Sequence, residues 1–293
     1  EKIPVVLLYN VDPQWTQAEK EEVISLSTHL GHALIEVGYS TIFVPIADDD
    51  IADHLHPFDP SEHIIFNWCE SLPGLRHSEW LVAKRLEMLG FTFTGADSET
   101  LALAQDKYRV KVLLEQAGIP TPAWRIFRHG EPCEWDHFPA IVKPMNEHCS
   151  AGITRESVVL NQTELESRIP FILDTYQQPA MVEDFIDGRE FHVSVWGNEK
   201  LTVRLDIRLR DNVFYVLDVN PNADISHEAS MACAAEVAGI SYGQMGSMFV
   251  RLAARRHPVF GKMSEPQEPA KKQSAIKRSR AKRASSFKEP QAS

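Results

Sequence analysis

The sequence predicts an α/β protein: a small parallel α/β domain at the front, followed by units that mix antiparallel strands with helices. Two observations carry this. Over roughly the first 95 residues, short apolar runs alternate with amphipathic helical stretches, as in βαβ units. Further on, residues 204–209 and 214–220 alternate as two strands around a polar turn, which marks a hairpin. The chain has 293 residues, 43% of them hydrophobic, so core burial is not limiting for one large domain or two to three smaller ones.

Residues 4–10 form a continuous apolar run, expected of a strand buried on both faces. A helix follows. Thr16 and Glu19 make a capping box, Val23, Leu26, Leu30, Leu34 and Val37 form its stripe, and Gly38 closes it. Residues 41–46 and 63–68 are further strands, 78–89 a second long helix and 91–94 a short strand. This domain has no GxGxxG turn, so it is not read as a dinucleotide site.

From Asp97 the pattern changes. Residues 98–105 are helical, and Asp106 caps a helix from Lys107 to Ala117 that Gly118 and Pro120 stop. Lys107 sits where an ammonium can reach a phosphate at a helix start; a surface lysine is the plainer alternative. Residues 139–144 form a strand ending in Lys143 and Pro144, then a polar loop at 145–152, then a strand at 153–160. The small residues Ser150, Ala151 and Gly152 at the loop tip could cradle phosphates or simply turn a hairpin. Residues 180–186 and 190–196 are strands around the Asp187-Gly188 turn, and Glu190, His192 and Ser194 share one face of the second. Helices at 227–238 and 241–255 close the folded part. The expected divisions are 1–95, 96–182, 183–260 and a disordered basic tail at 261–293.

Charge is uneven. From Lys262 onward nine Lys/Arg stand against three Asp/Glu, a surplus of six; with the whole chain at −11, residues 1–261 carry −17. An acidic body disfavours nucleic acid as a partner, leaving only weak contact through the tail. The longest apolar runs are too short to span a membrane, and no signal peptide opens the chain. Four scattered cysteines without a CxxC pair fit a reducing, cytoplasmic setting.

The hairpin carries the chemistry. Arg204, Asp206 and Arg208 share one strand face; Val216, Asp218 and Asn220 share a face of the other. A three-residue loop at 211–213 places Asp206 opposite Asp218. Two facing carboxylates need a positive charge between them. With an amide oxygen beside them, they offer the hard ligands that suit Mg²⁺; a solvated hairpin face is the bland alternative.

The order of motifs then matters. Residues 102–111, the 118–122 run Gly-Ile-Pro-Thr-Pro, the 138–144 run Phe-Pro-Ala-Ile-Val-Lys-Pro, the 182–191 run Val-Glu-Asp-Phe-Ile-Asp-Gly-Arg-Glu-Phe, and the 204–221 hairpin together resemble the ATP-grasp superfamily, closest to its D-alanine–D-alanine ligase-like branch. The likeness runs from about residue 66 to about residue 254. It implies an α+β ATP-grasp fold in which two subdomains clamp the nucleotide behind the first domain. It implies ATP, with Mg²⁺ or Mn²⁺, and small-molecule carboxylate and amine substrates joined through an acyl phosphate; relatives are often homodimers. By the same resemblance, Lys107 and Lys143 touch the phosphates and Ser150 belongs to the loop over them. Glu183, Asp184, Phe185 and Ile186 form the hinge that meets adenine, and Glu190 holds the ribose. Asp206, Asp218 and Asn220 ligate the metal, and Arg204 steadies the intermediates.

The sequence departs from the family at four places. Asp218 stands where glutamate is usual; it is one methylene shorter but still a hard ligand. The loop at 146–152 has one glycine and a bulky His148. Neither residues 221–229 nor the first domain carries the D-alanine-holding patterns, so the substrates are expected not to be two D-alanines. Only residues 199–203 separate Gly197-Asn198 from Arg204, where relatives place a strand, a mobile loop and a helix; a helical crossover needs a dozen or more residues. Either the chain is naturally shortened and impaired, or a stretch has been closed up in the numbering. The survival of Arg204, Asp206, Asp218 and Asn220 favours the second.

Overall fold

The computed structural model describes residues 3–146, 153–197 and 201–262. The first sheet is parallel. Strands β1 (Pro4–Asn10), β2 (Ser40–Ile46), β3 (Ile64–Trp68) and β4 (Thr92–Phe93) lie in the order β2-β1-β3-β4. Helix α1 (Gln17–Glu36) opens with the expected capping box, Thr16 accepting from the Glu19 amide and Glu19 accepting from Thr16. The short α2 (Ile51–Leu55), α3 (Glu79–Met88) and α4 (Ser98–Gln105) cover the other face.

Helix α5 (Lys107–Gln116) starts at the Asp106 cap, whose side chain accepts from the Arg109 amide. It leads into a second sheet, antiparallel, ordered β5-β8-β6-β7. This sheet consists of β5 (Trp124–Phe127), β6 (Ala140–Pro144), β7 (Val158–Val159) and β8 (Ala180–Asp184). The strand expected at 153–160 is reduced to the two residues of β7. Thr154 and Ser157 exchange side-chain and backbone hydrogen bonds there, winding Arg155–Ser157 into a 3₁₀ turn instead. Helix α6 (Gln162–Tyr176) backs this sheet, burying Leu165, Ile169, Ile172 and Leu173. Its interior Pro170 removes a backbone donor and obscures the helical signal in sequence.

The third sheet, β11-β10-β9, comprises β9 (Arg189–Gly197), β10 (Leu201–Arg210) and β11 (Val213–Asn220), all antiparallel. Gly197 pairs with Leu201, so β9 and β10 are direct antiparallel neighbours. The residues between them, where the sequence is shorter than in relatives, lie outside the described residues. The apolar side of this sheet is partly open: Val193, Val195 and Phe214 are 37%, 45% and 51% exposed, whereas Val203 and Val216 are buried. Gly188 is required by close approach, since a Cβ there would lie 2.1 Å from the Leu209 carbonyl oxygen.

Helices α7 (Ser230–Val237) and α8 (Tyr242–Ala254) return to the first sheet. Met231, Met245, Phe249 and Val250 share a core with Val5, Leu7, Leu30 and Phe66. The C-terminal helices thus tie the third sheet to the first domain. Among the described residues no helix is long and apolar enough to cross a membrane. Ser150 and the basic tail beyond Lys262 lie outside the described residues.

Candidate active site

Cross-strand pairing arranges the polar face of the third sheet into three rows: His192–Asp206–Asp218, Ser194–Arg204–Asn220 and Glu190–Arg208–Tyr215. Directly paired residues share a face, so Arg204, Asp206, Asp218 and Asn220 come together as the sequence requires. The route differs from the expected three-residue loop. The turn is the two-residue Asp211-Asn212, with φ of 51° and 61° as a type I′ turn needs. A bulge then shifts the register between Asp206 and Ile207, leaving Leu217 as the extra residue. Val216, expected beside Asp218, consequently pairs with Ile207 and faces the opposite way, buried.

Arg204 grips Asp206 with two bonds, Nε to Oδ1 at 2.8 Å and an Nη2 donor to Oδ2 at 3.1 Å. That guanidinium supplies the positive charge the opposed carboxylates need. The Asn222 amide donates to Asn220 Oδ1 at 2.9 Å, leaving that oxygen a second lone pair.

A buried charge cluster lies next to this face. Glu183 takes Lys111 Nζ on Oε1 at 2.7 Å and Lys143 Nζ on Oε2 at 2.6 Å. All three side chains are buried. The Lys111 contact is an ion pair rather than a well-directed hydrogen bond, since Oε1 lacks a properly aligned donor. Lys143 pairs with Met181, and Glu183 with Ile141, so lysine and carboxylate are diagonal neighbours on one sheet face. Burial alone would raise the Glu183 carboxyl; the Lys143 and Lys111 ammoniums outweigh it and hold it at about 2. Burial lowers Lys111 below the ordinary lysine value, aided by the Lys143 charge and opposed by Glu183 and Asp218. Lys111 also donates to Thr121 Oγ1 at 2.6 Å, and Thr121 donates to the Val216 carbonyl at 2.9 Å, joining α5 to β11. Lys107 lies one turn before Lys111 on α5, also buried.

The hinge residues are held by two arginines of β10. Arg210 donates to Asp184 Oδ2 at 2.7 Å. Arg208 donates to the Ile186 carbonyl at 3.1 Å, and its guanidinium lies 5.1 Å from the centre of the Phe185 ring. It also donates twice to Glu190 Oε2, at 2.9 and 2.5 Å. Those bonds hold the Glu190 carboxyl below the usual range.

Lys111, Thr121 and Arg210 were not singled out from sequence, and Arg208 was read only as a neighbour on the polar strand face. Lys111 left one signal: it falls four residues after Lys107, hence on the same helix face. The others depend on contacts between elements far apart in the chain.

Comparison with known proteins follows the same lines. The family profile described as "D-ala D-ala ligase C-terminus" matches residues 113–252. An uncharacterized protein, y4sG, of Sinorhizobium fredii is 33% identical over 178 residues, which are 58% of this chain and 52% of that protein. The D-alanine–D-alanine ligase of Aquifex aeolicus is 29% identical over 189 residues, 64% of this chain and 62% of that one. The chain thus spans about half to three fifths of the length of these curated relatives. The crystal structure of the D-alanine–D-alanine ligase of Bacillus anthracis complexed with ATP superposes with a TM-score of 0.70 at 18% identity, covering 87% of this chain and 98% of that one, a likeness of fold. The fold is that of the D-alanine–D-alanine ligase structures. Within it, residues 113–252, a little under half of the chain, are similar to the C-terminal part of that family.

Proposed function

We propose that the chain is an ATP- and Mg²⁺-dependent carboxylate–amine ligase that forms an amide through an acyl phosphate, acting on amino acids or a small peptide other than two D-alanines. The observation that carries this is the juxtaposition of Asp206, Asp218, Asn220 and Arg204 on one sheet face, tied through Thr121 and Val216 to the buried Lys111–Glu183–Lys143 cluster. Two carboxylates and a carboxamide oxygen fit Mg²⁺ in kind and leave positions for water and phosphate. Among the described residues no group of three His, Cys, Asp or Glu could hold a metal ion, so Asp206 and Asp218 would be the carboxylates of such a site and Asn220 its amide ligand. Bound there, Mg²⁺ would neutralise charge on the phosphates.

The chain's own residues do the rest. Lys107 and Lys143 offer ammoniums to the phosphates, Ser150 belongs to the covering loop, and Glu183, Asp184, Phe185, Ile186 and Glu190 frame base and ribose. The acid substrate's carboxylate attacks the γ-phosphate; the amine then attacks the acyl carbon and phosphate leaves. Arg204 would meet the negative charge that develops on the tetrahedral centre. Position and positive charge are the main contributions asked of the protein.

A second reading is a nucleotide- or partner-binding module without catalysis. The direct β9–β10 pairing and the partly open apolar side of that sheet favour it. ADP release with a panel of amino acids, amines and short peptides separates the two. Turnover that Asp206→Asn abolishes supports the ligase. Stabilisation by ATP and Mg²⁺ without ADP release supports the binding module. No turnover, with nucleotide binding unaffected by Asp206→Asn, overturns the ligase reading.

A further inference from the structure

Strand alternation puts Arg204, Asp206, Arg208 and Arg210 of β10 on one face. Cross-strand register sets Arg208 directly opposite Glu190 of β9. Just before β9, the chain comes so close to the Leu209 carbonyl that residue 188 must be glycine, and the preceding Ile186 carbonyl falls within reach of the same arginine. All three guanidinium nitrogens of Arg208 are engaged at this join. Nε and Nη2 donate to Glu190 Oε2 at 2.9 and 2.5 Å, and Nη1 donates to the Ile186 carbonyl at 3.1 Å. The guanidinium carbon lies 5.1 Å from the centre of the Phe185 ring.

A side chain is thus making the contacts of a nucleoside. On the ligase reading, a base brings a flat ring and an N–H to the hinge, and a ribose brings two hydroxyls to the Glu190 carboxylate. Arg208 brings a flat guanidinium beside Phe185, one N–H to a hinge carbonyl and two N–H groups to Glu190. A guanidinium only donates, so it competes for these acceptors with any ligand that would use them. The two ends of the site differ in how firmly they are held. At the phosphate end, the Lys143 and Glu183 side chains are 9% and 3% exposed; at the nucleoside end, Arg208 and Glu190 are 24% and 45% exposed. Ion pairs open to water are weak and screened by salt, so the second pair can part while the first stays closed.

We propose that Arg208 is a built-in competitor of the nucleoside. It fills the base and ribose positions until a nucleotide displaces it, and it sets the affinity of the site for ligands that carry a nucleoside but not for a polyphosphate alone. The inference rests on the reading of residues 183–190 as the base and ribose site. A site that is open in only a fraction of the molecules binds its ligand more weakly by that fraction, so removing the competitor returns the lost affinity. Arg189 gives a comparison next door: its guanidinium lies 5.5 Å from the centre of the Phe191 ring, and it belongs to the opposite face of β9 from Glu190.

The test is calorimetric titration of the full chain with adenosine, ATP–Mg²⁺ and tripolyphosphate–Mg²⁺. Arg208→Ala should bind adenosine tighter by about fivefold or more, and ATP–Mg²⁺ tighter as well, with tripolyphosphate unchanged. Raising the salt should tighten adenosine, which is uncharged, on the natural protein and not on Arg208→Ala. Arg189→Ala removes a neighbouring positive charge and should leave adenosine binding as it is. If Arg208→Ala fails to fold, Arg208→Lys carries the same test, because one compact ammonium replaces the forked donors. Adenosine bound no tighter by the Arg208 variant, an equal gain in Arg189→Ala, or an equal gain for tripolyphosphate overturns the proposal. Where ATP–Mg²⁺ still binds in those cases, the nucleotide site stands and the competitor alone falls. ATP–Mg²⁺ bound by neither protein retires the nucleotide reading and the competitor with it.

Discussion

Lys111 and Lys143 share a single buried partner: both ammoniums contact the Glu183 carboxylate, at 2.7 and 2.6 Å, from a helix and a neighbouring strand. Two positive charges on one negative leave a surplus cation facing the hairpin. Removing different members of this trio should therefore have unequal costs. Glu183→Gln strands two buried ammoniums and should destabilise the chain by about 3–5 kcal/mol. Lys111→Met leaves the Glu183–Lys143 pair intact and should cost less, under about 2 kcal/mol. Urea unfolding of both variants measures the order, and the reverse order would show that the cluster is not held as described.

The same carboxylate sets an acid limit. Its folded value of about 2 lies below the ordinary 4.5, so its stabilisation is present above about 4.5 and is lost as pH falls toward about 2. Stability measured across that window should fall more steeply in the natural protein than in Glu183→Gln. Parallel curves would assign the acid loss to other groups.

Arg208 occupies the Ile186 carbonyl and Glu190, the two groups the family likeness gives to base and ribose. A nucleotide must displace its hydrogen bonds to reach them. Arg208→Ala is expected to tighten ATP–Mg²⁺ binding several-fold in an equilibrium titration. Weaker binding would instead make Arg208 a nucleotide contact.

Gly188 tests the join between hinge and hairpin. An added Cβ meets the Leu209 carbonyl oxygen at 2.1 Å, so Gly188→Ala must push β10 away. A loss of about 1–3 kcal/mol is expected from this overpacking. It should come with a change in nucleotide binding, because Arg208 and Arg210, which hold the hinge residues, move with the strand. An unchanged melting temperature would mean the strand yields freely.

Much of the architecture is local and so was legible. The α1 capping box, the buried run of β1 and the alternation of the hairpin each follow from spacing within a few residues. Asp206 facing Asp218 was legible too, although a two-residue turn and a bulge at Leu217 produce it. A bulge is decided by pairing energies that sequence alternation does not display.

The sequence by itself determined the kind of fold and the polar hairpin, because periodicity, caps and turn residues act over short range. Only the tertiary structure decided that Glu183 serves two lysines and that Arg208 and Arg210 hold the hinge. It alone brought Glu70 and Asp224, 154 positions apart in the sequence, to one cavity. Ion pairs and cavities form where distant segments meet, and which segments meet is set by the packing of sheets and helices as a whole.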